Sequence, residues 1–180
     1  MFCWQINDDI NLKLLDPSLA ISLFNLVENN NKFLTKWLNW AIKASDYEYL
    51  ENYILYSQNV FSENKGFHAA IYFQNDLVGI VTLEYSSMNK CGSIGYWLIE
   101  DYNGKGIITM CCQAIVDYSF KEIYLNRLEI RCAQNNIKSQ KIPLALGFQK
   151  EGVIHHAEEI RKEIIHHVIF GLTIEDYNLL

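Results

Sequence analysis

At 180 residues, half of them hydrophobic and 20% charged, the sequence has the make-up of one folded domain, 1–180, and not of a disordered chain. Two prolines and nine glycines exclude collagen and low-complexity linkers. The net charge of −6 leaves no basic footprint for a nucleic acid, so a polyanionic ligand would need local backbone donors.

Ile10, Leu12 and Leu14 alternate with polar residues and predict a first strand, closed by Asp16-Pro17. Leu19, Leu23, Leu26 and Val27 have helical spacing over 18–28, and a second short helix is expected over 33–42. Ser45-Asp46-Tyr47-Glu48 reads as a capping box that starts a helix running to about 61. Strands at 67–74 and 77–85 flank Asn75-Asp76, a hairpin signal, and 93–99 is a further strand. A glycine-containing loop, 100–106, leads into a helix over 107–124 with Ile108, Cys112, Ile115 and Ile123 as its apolar stripe. Residues 126–133 alternate as a strand with Leu128, Ile130 and Cys132 on one face. A helix over 137–146 stops at Gly147, and strands at 152–160 and 163–174 pair around Arg161-Lys162. The order predicts an α/β (α+β) fold: a mixed, mostly antiparallel sheet of about seven strands with helices on its faces.

The five cysteines, Cys3, Cys91, Cys111, Cys112 and Cys132, are odd in number and lack CxxC spacing. They read as reduced thiols of a cytoplasmic protein. No charged segment followed by an apolar run opens the chain, and no run nears 18 apolar residues. Neither a signal peptide nor a membrane span is expected.

Asn103-Gly104-Lys105-Gly106-Ile107-Ile108-Thr109 lies between a strand and a helix. Two glycines can turn backbone N–H groups toward one point, and the helix N-terminus adds its partial positive charge. The result is an anion site suited to pyrophosphate, or simply a tight connection. It is not a Walker A loop, and the preceding antiparallel hairpin argues against a dinucleotide fold. The loop resembles the acetyl-coenzyme A loop of the GCN5-related N-acetyltransferases (GNAT), although Asn103 and Ile108 depart from that family's pattern. Ile94-Gly95-Tyr96-Trp97-Leu98, Gly104 to Ile107, Asn136 to Ser139, and Gly147-Phe148 to Glu151-Gly152 follow in order. These motifs resemble the Rim-type enzymes that acetylate ribosomal-protein N-termini.

The resemblance implies a splayed sheet that grips the pantetheine arm of acetyl-CoA as a missing strand. Leu98 and Ile99 would supply backbone hydrogen bonds to it. The loop Asn103 to Thr109, including Lys105 and Ile107, would hold the cofactor, with the amides of Gly104, Gly106, Ile108 and Thr109 on the pyrophosphate. Asn136 would bond the pantetheine. Ser139 would return a proton to the departing thiolate; a helix N-cap is the other reading of this serine. Ala157-Glu158 matches a family Ala-Glu pair, which makes Glu158 the expected general base, with Glu159 and Glu84 as fallbacks. Trp37 and Trp40, three apart on one helical face, would lie on the substrate side with Glu84, pack in the core, or form a dimer surface. His155-His156 and His166-His167 supply no third metal ligand with familiar spacing, so no metal is expected.

One residue breaks the pattern. Pro143 removes the amide that would bond the Ser139 carbonyl four residues earlier, which costs about 3 kcal/mol unless the helix adapts; it reads as a tolerated irregularity. The expected activity is acetyl-CoA-dependent transfer to a primary amine by direct attack, with a protein N-terminus, ribosomal serine-type, as acceptor. A small-molecule amine acetyltransferase acting on polyamines, antibiotics or amino acids, and a non-catalytic acyl-CoA-binding module, are the alternatives. A homodimer is left open.

Overall fold

The computed structural model describes residues 3–44 and 46–180. Its strands are β1 (Cys3–Gln5), β2 (Ile10–Leu14), β3 (Gly66–Phe73), β4 (Asp76–Ser86), β5 (Cys91–Leu98), β6 (Arg127–Ala133), β7 (Gln149–Ile160) and β8 (Glu163–Thr173). Its α-helices are α1 (Ala20–Asn29), α2 (Asn31–Leu34), α3 (Trp40–Lys43), α4 (Tyr47–Ser62), α5 (Ile107–Lys121), α6 (Ile137–Ala145) and α7 (Ile174–Tyr177). The strands form one sheet in the order β1-β2-β3-β4-β5-β6-β8-β7. All neighbours are antiparallel except β5 and β6, which run parallel.

The count is eight strands rather than about seven. The extra one, β1, is a three-residue edge strand with no periodic signal, held by Trp4 packing edge-on against Phe67 and Tyr118. The helix expected over 33–42 is two short ones. Residues 35–39 turn between them, and Asn31 ties the pieces together by donating from Nδ2 to the Ala41 carbonyl. Trp37 lies in that turn, so Trp37 and Trp40 do not share a helical face. The hairpin turn is Gln74-Asn75, one residue earlier than the sequence signal, with φ of 51° and 75°. Arg161 and Lys162 occupy the other predicted turn at φ of 51° and 70°, the two left-handed residues of a tight hairpin. Asp46 caps α4 by accepting from the Glu48 amide; Ser45 of the expected capping box lies outside the described residues.

Helices α1 and α4 pack on one face of the sheet, where Leu23, Val27, Leu50 and Ile54 meet Ala70 and Ile80. Helix α5 packs on the other, where Cys112 and Ile115 meet Val81, Ile94, Leu128 and Ile130. The sheet parts between these layers. β5 pairs with β6 only through Cys91, Gly92 and Ser93. Beyond that, β5 stays with β4 as far as Leu98, and β6 stays with β8 as far as Ala133. Ile94–Leu98 and Ile130–Ala133 therefore face each other across a gap with no ladder between them.

Gly79 holds β5 close to β4 beside that gap. A Cβ there would lie 2.2 Å from the Trp97 carbonyl oxygen and 3.0 Å from Leu98 Cα. Gly79→Ala should destabilise by about 1–3 kcal/mol through overpacking, with the melting temperature falling about 2–4 °C per kcal/mol. An unchanged thermal transition would show that the two strands are not held at this spacing.

Candidate active site

The Ile99 amide donates to the Val78 carbonyl at 2.9 Å. Hydrogen-bonding direction alternates along an antiparallel strand. Trp97 and Gly95 therefore also bond toward β4, and the N–H and C=O groups of Tyr96 and Leu98 point into the gap. Ile99 was expected to share this task with Leu98; its amide is already engaged. The exposed edge at Leu98 and Tyr96 suits an extended, amide-bearing ligand lying as an added strand.

The loop below the gap is shaped by two glycines in the left-handed region, Gly104 at φ 81° and Gly106 at φ 77°. Gly106 starts α5 with no side-chain cap, so the first amides of the helix are unsatisfied from within it. Among the described residues, none of the amides from Gly104 to Thr109 has a backbone or side-chain acceptor. Lys105 Nζ sits 4.3 Å over the Tyr102 ring, and Tyr102 donates to Asp76. Asn103 makes a long 3.4 Å bond to the Ile99 carbonyl, which closes the loop rather than reaching a ligand. Unpaired amides at a helix start, in a loop that also carries Lys105, suit a pyrophosphate. Together with the free strand edge, these residues fit the diphosphate and the arm of coenzyme A.

Helix α6 borders the gap on the α5 face. Its cap is Asn136, whose Oδ1 accepts from the Ser139 amide at 3.2 Å, so Ser139 is not the cap. The Ser139 hydroxyl lies 3.2 Å from the Tyr96 hydroxyl and 3.3 Å from Cys132 Sγ, and can donate to either. The carbonyl that Pro143 deprives of a helical bond is not orphaned: Tyr96 donates its phenol proton to it at 3.1 Å. Burial pushes the pKa of the Tyr96 phenol far up and raises that of the Cys132 thiol, so both favour their protonated forms.

The opposite face carries Glu158. Its partner in the ladder is Ile165, on the same face as His167, which is paired with Ala133 at the end of β6. His167 Nε2 lies 3.3 Å from Glu158 Oε2. A bulge between Ile154 and Glu158, with His156 at φ 53°, turns β7 here; the His156 amide donates to His166 Nδ1. Glu159, next along β7, alternates to the other side. Trp40 packs on Trp97 at 5.6 Å on the Glu158 face, and Arg161 at the β7–β8 turn donates to the buried Thr35 after α2. Glu84 is less available than expected: His68 Nε2 lies 2.8 Å from one carboxylate oxygen, and Tyr56 donates to the other. Among the described residues no three metal-capable side chains gather, and no helix is long and apolar enough to cross a membrane.

A family model described as an acetyltransferase (GNAT) domain matches residues 10–149. The chain belongs to the GNAT family. It is an acetyl-CoA-dependent N-acetyltransferase. YdaF of Bacillus subtilis (strain 168), an N-acetyltransferase by name, is 34% identical over 154 residues, covering 84% of each chain. The ribosomal-protein-serine acetyltransferase of Escherichia coli (strain K12) is 27% identical over 86% of this chain and 87% of its own. Among solved structures, the microcin C7 self immunity acetyltransferase MccE, in complex with acetyl-CoA and AMP, superposes with a TM-score of 0.87 at 27% identity over 94% of each chain. The GNAT fold thus accounts for the open eight-stranded sheet.

Three features of this GNAT site were not read from the sequence. Tyr96 gains importance only from contact between β5 and α6, and His167 only from contact between β8 and β7. The third is a cleft of about 590 Å³ on the Glu158 face, lined by Tyr56, Glu63, Glu84, Ser93, Arg127 and Glu129 among others. His68, buried between Tyr53 and Glu84, lies behind the Glu84 side of that lining.

Acetyl-CoA at roughly 100 times its dissociation constant should stabilise the protein by about 2.7 kcal/mol, a melting shift near 5–11 °C. The same titration with NAD should leave the transition in place.

Burial lowers the His68 pKa below its ordinary value, against the opposing pull of Glu84. A depressed histidine releases its proton on folding, so its share of stability is complete above the unfolded value, about 6.5, and is lost as pH falls below it. His68→Gln should flatten the fall in melting temperature between about pH 6.5 and 5 relative to the unmodified protein. Parallel pH profiles for the two proteins would refute this.

Proposed function

We propose that this enzyme acetylates the free α-amino group of a protein N-terminus, with ribosomal proteins as the acceptor class. The observation that carries the reading is the gap between β5 and β6, open to α6 on one face and to Glu158 on the other. A thioester lying in the gap meets an amine from the Glu158 side and loses its thiolate toward Ser139. The name of the Escherichia coli relative supports the acceptor class. The cleft on the same face of the sheet, at the Cys91–Ser93 end of β5, supports a peptide, because it offers an extended acceptor room beyond the gap.

Acetyl-CoA, when bound, supplies an activated carbonyl. The Leu98 N–H, free at the gap, donates to the carbonyl oxygen as negative charge builds on it. Glu158 takes the proton that the nitrogen sheds as the C–N bond forms. An α-amine has a pKa of roughly 7.7–8.0 and is partly neutral near pH 7.5, so a carboxylate suffices to orient it and accept that proton. Ser139 passes a proton to the sulfur as the C–S bond breaks and regains one from solvent. A thiol of pKa about 8.5 leaves readily, so this last demand is small. The amides of Gly104 to Thr109, with Lys105, hold the diphosphate, and Asn136 Nδ2 reaches the pantetheine.

Glu158→Gln should lower kcat by up to roughly 100-fold with acetyl-CoA affinity nearly unchanged, and the loss should narrow at high pH, where the amine is already neutral. Full activity at neutral pH would remove Glu158 from the role. A mass-spectrometric screen of free N-terminal peptides against spermidine tests the acceptor. Turnover of Ser- or Ala-initiated ribosomal peptides is expected, and turnover of spermidine alone would overturn the reading.

A further inference from the structure

Pro143 and Tyr96 are linked through one atom, the Ser139 carbonyl oxygen. Proline has no N–H to offer it, and in a helix its ring crowds that carbonyl. The carbonyl is part-buried at the edge of the gap, where lacking a partner would be costly. Tyr96 supplies the partner from a different layer of the protein, across 43 residues of sequence. Its hydroxyl then has lone pairs left, and Ser139 Oγ can donate to one of them at 3.2 Å. The two residues are clasped twice: phenol to carbonyl, and serine hydroxyl to phenol oxygen.

We infer that Tyr96 is a positioning residue for Ser139, and that Pro143 creates its anchoring point. The inference rests on the proton-donating role of Ser139 proposed above. The Tyr96 strand edge faces the gap, so the residue that lines the ligand's path also sets the rotamer of the donor beside it. Ser139 rests with its proton on neutral acceptors, Tyr96 Oη or Cys132 Sγ at 3.3 Å. A thiolate forming in the gap is a charged and stronger acceptor, and draws the hydroxyl over when the C–S bond breaks. The buried phenol keeps its own proton on the Ser139 carbonyl, so it holds the clasp without donating to the leaving group.

The test compares kcat, the KM for acetyl-CoA and the melting temperature for Tyr96→Phe, Ser139→Ala, their double variant, and Tyr96→Phe with Pro143→Ala. Tyr96→Phe should lower kcat about tenfold and leave KM within about twofold, because orientation is lost and binding is not. In the Ser139→Ala background the same change should alter kcat by less than about twofold, since both act through one hydroxyl. Pro143→Ala restores an amide for the orphaned carbonyl. It should therefore return the melting temperature of Tyr96→Phe toward normal without returning kcat. That pair also provides a folded protein should Tyr96→Phe alone be too unstable to assay. Effects of Tyr96→Phe and Ser139→Ala that multiply, or a kcat that recovers together with the melting temperature, would overturn the positioning role. An impaired Ser139→Ala beside a fully active Tyr96→Phe would remove the Tyr96 inference alone. A fully active Ser139→Ala would remove the proton step and the inference together.

Discussion

The parting of β5 from β6 after Ser93 is the constraint on which the rest of the site depends. A parallel pair that stayed zipped would consume the backbone groups of Tyr96 and Leu98 and leave nothing for a ligand to bond. The protein avoids this by holding each strand to its other neighbour. β5 is bound to β4 over eight register pairs, and β6 to β8 over seven. An unpaired internal edge is normally a liability in a sheet. Here it lies between layers of helix and is short, which confines it to a ligand of one strand's width.

The parting also sorts the chemistry by face. Side chains alternate along β6, so Cys132 and Ala133 look in opposite directions. Ser139 sits against the first, and the Glu158–His167 pair belongs to the second through the register of β8. In the proposed mechanism these two groups handle two different protons, and the thickness of the sheet keeps them apart. Neither can short-circuit the other, and each faces its own approach to the gap.

Much of this was legible in residue order, for physical reasons that differ by element. The glycine loop announces itself because Gly104 and Gly106 occupy φ values that other residues avoid. Gly147 marks the end of α6 in the same way. The stripe of Ile108, Cys112 and Ile115 reads as the buried face of α5 because the helical period is regular. What failed to show was everything set by non-local contact. β1 is too short to carry a period. The turn at 35–39 is spanned by one side-chain amide, from Asn31 to the Ala41 carbonyl ten residues on, which no period announces. Pro143 reads as a fault within its own helix, since the hydroxyl that completes its neighbourhood comes from β5. The engagement of Ile99 and of Glu84 is equally invisible, because strand spacing does not say which edge an amide faces or which carboxylate lies under a histidine.

The proposed seat for the diphosphate is built almost wholly of backbone dipoles, in a chain whose net charge is −6. Its attraction acts at hydrogen-bond range, whereas the repulsion of an anionic ligand by the whole molecule extends much farther. Electrolyte separates the two. At physiological salt the far field is screened beyond about 8 Å, while contacts within the seat are scarcely touched. With the ligand in that proposed seat, encounter with acetyl-CoA should be hastened by added salt, and its residence time, set by amides and strand edge, should stay nearly level. A nucleotide site framed by lysines and arginines behaves in the reverse sense, losing its capture rate as ionic strength rises.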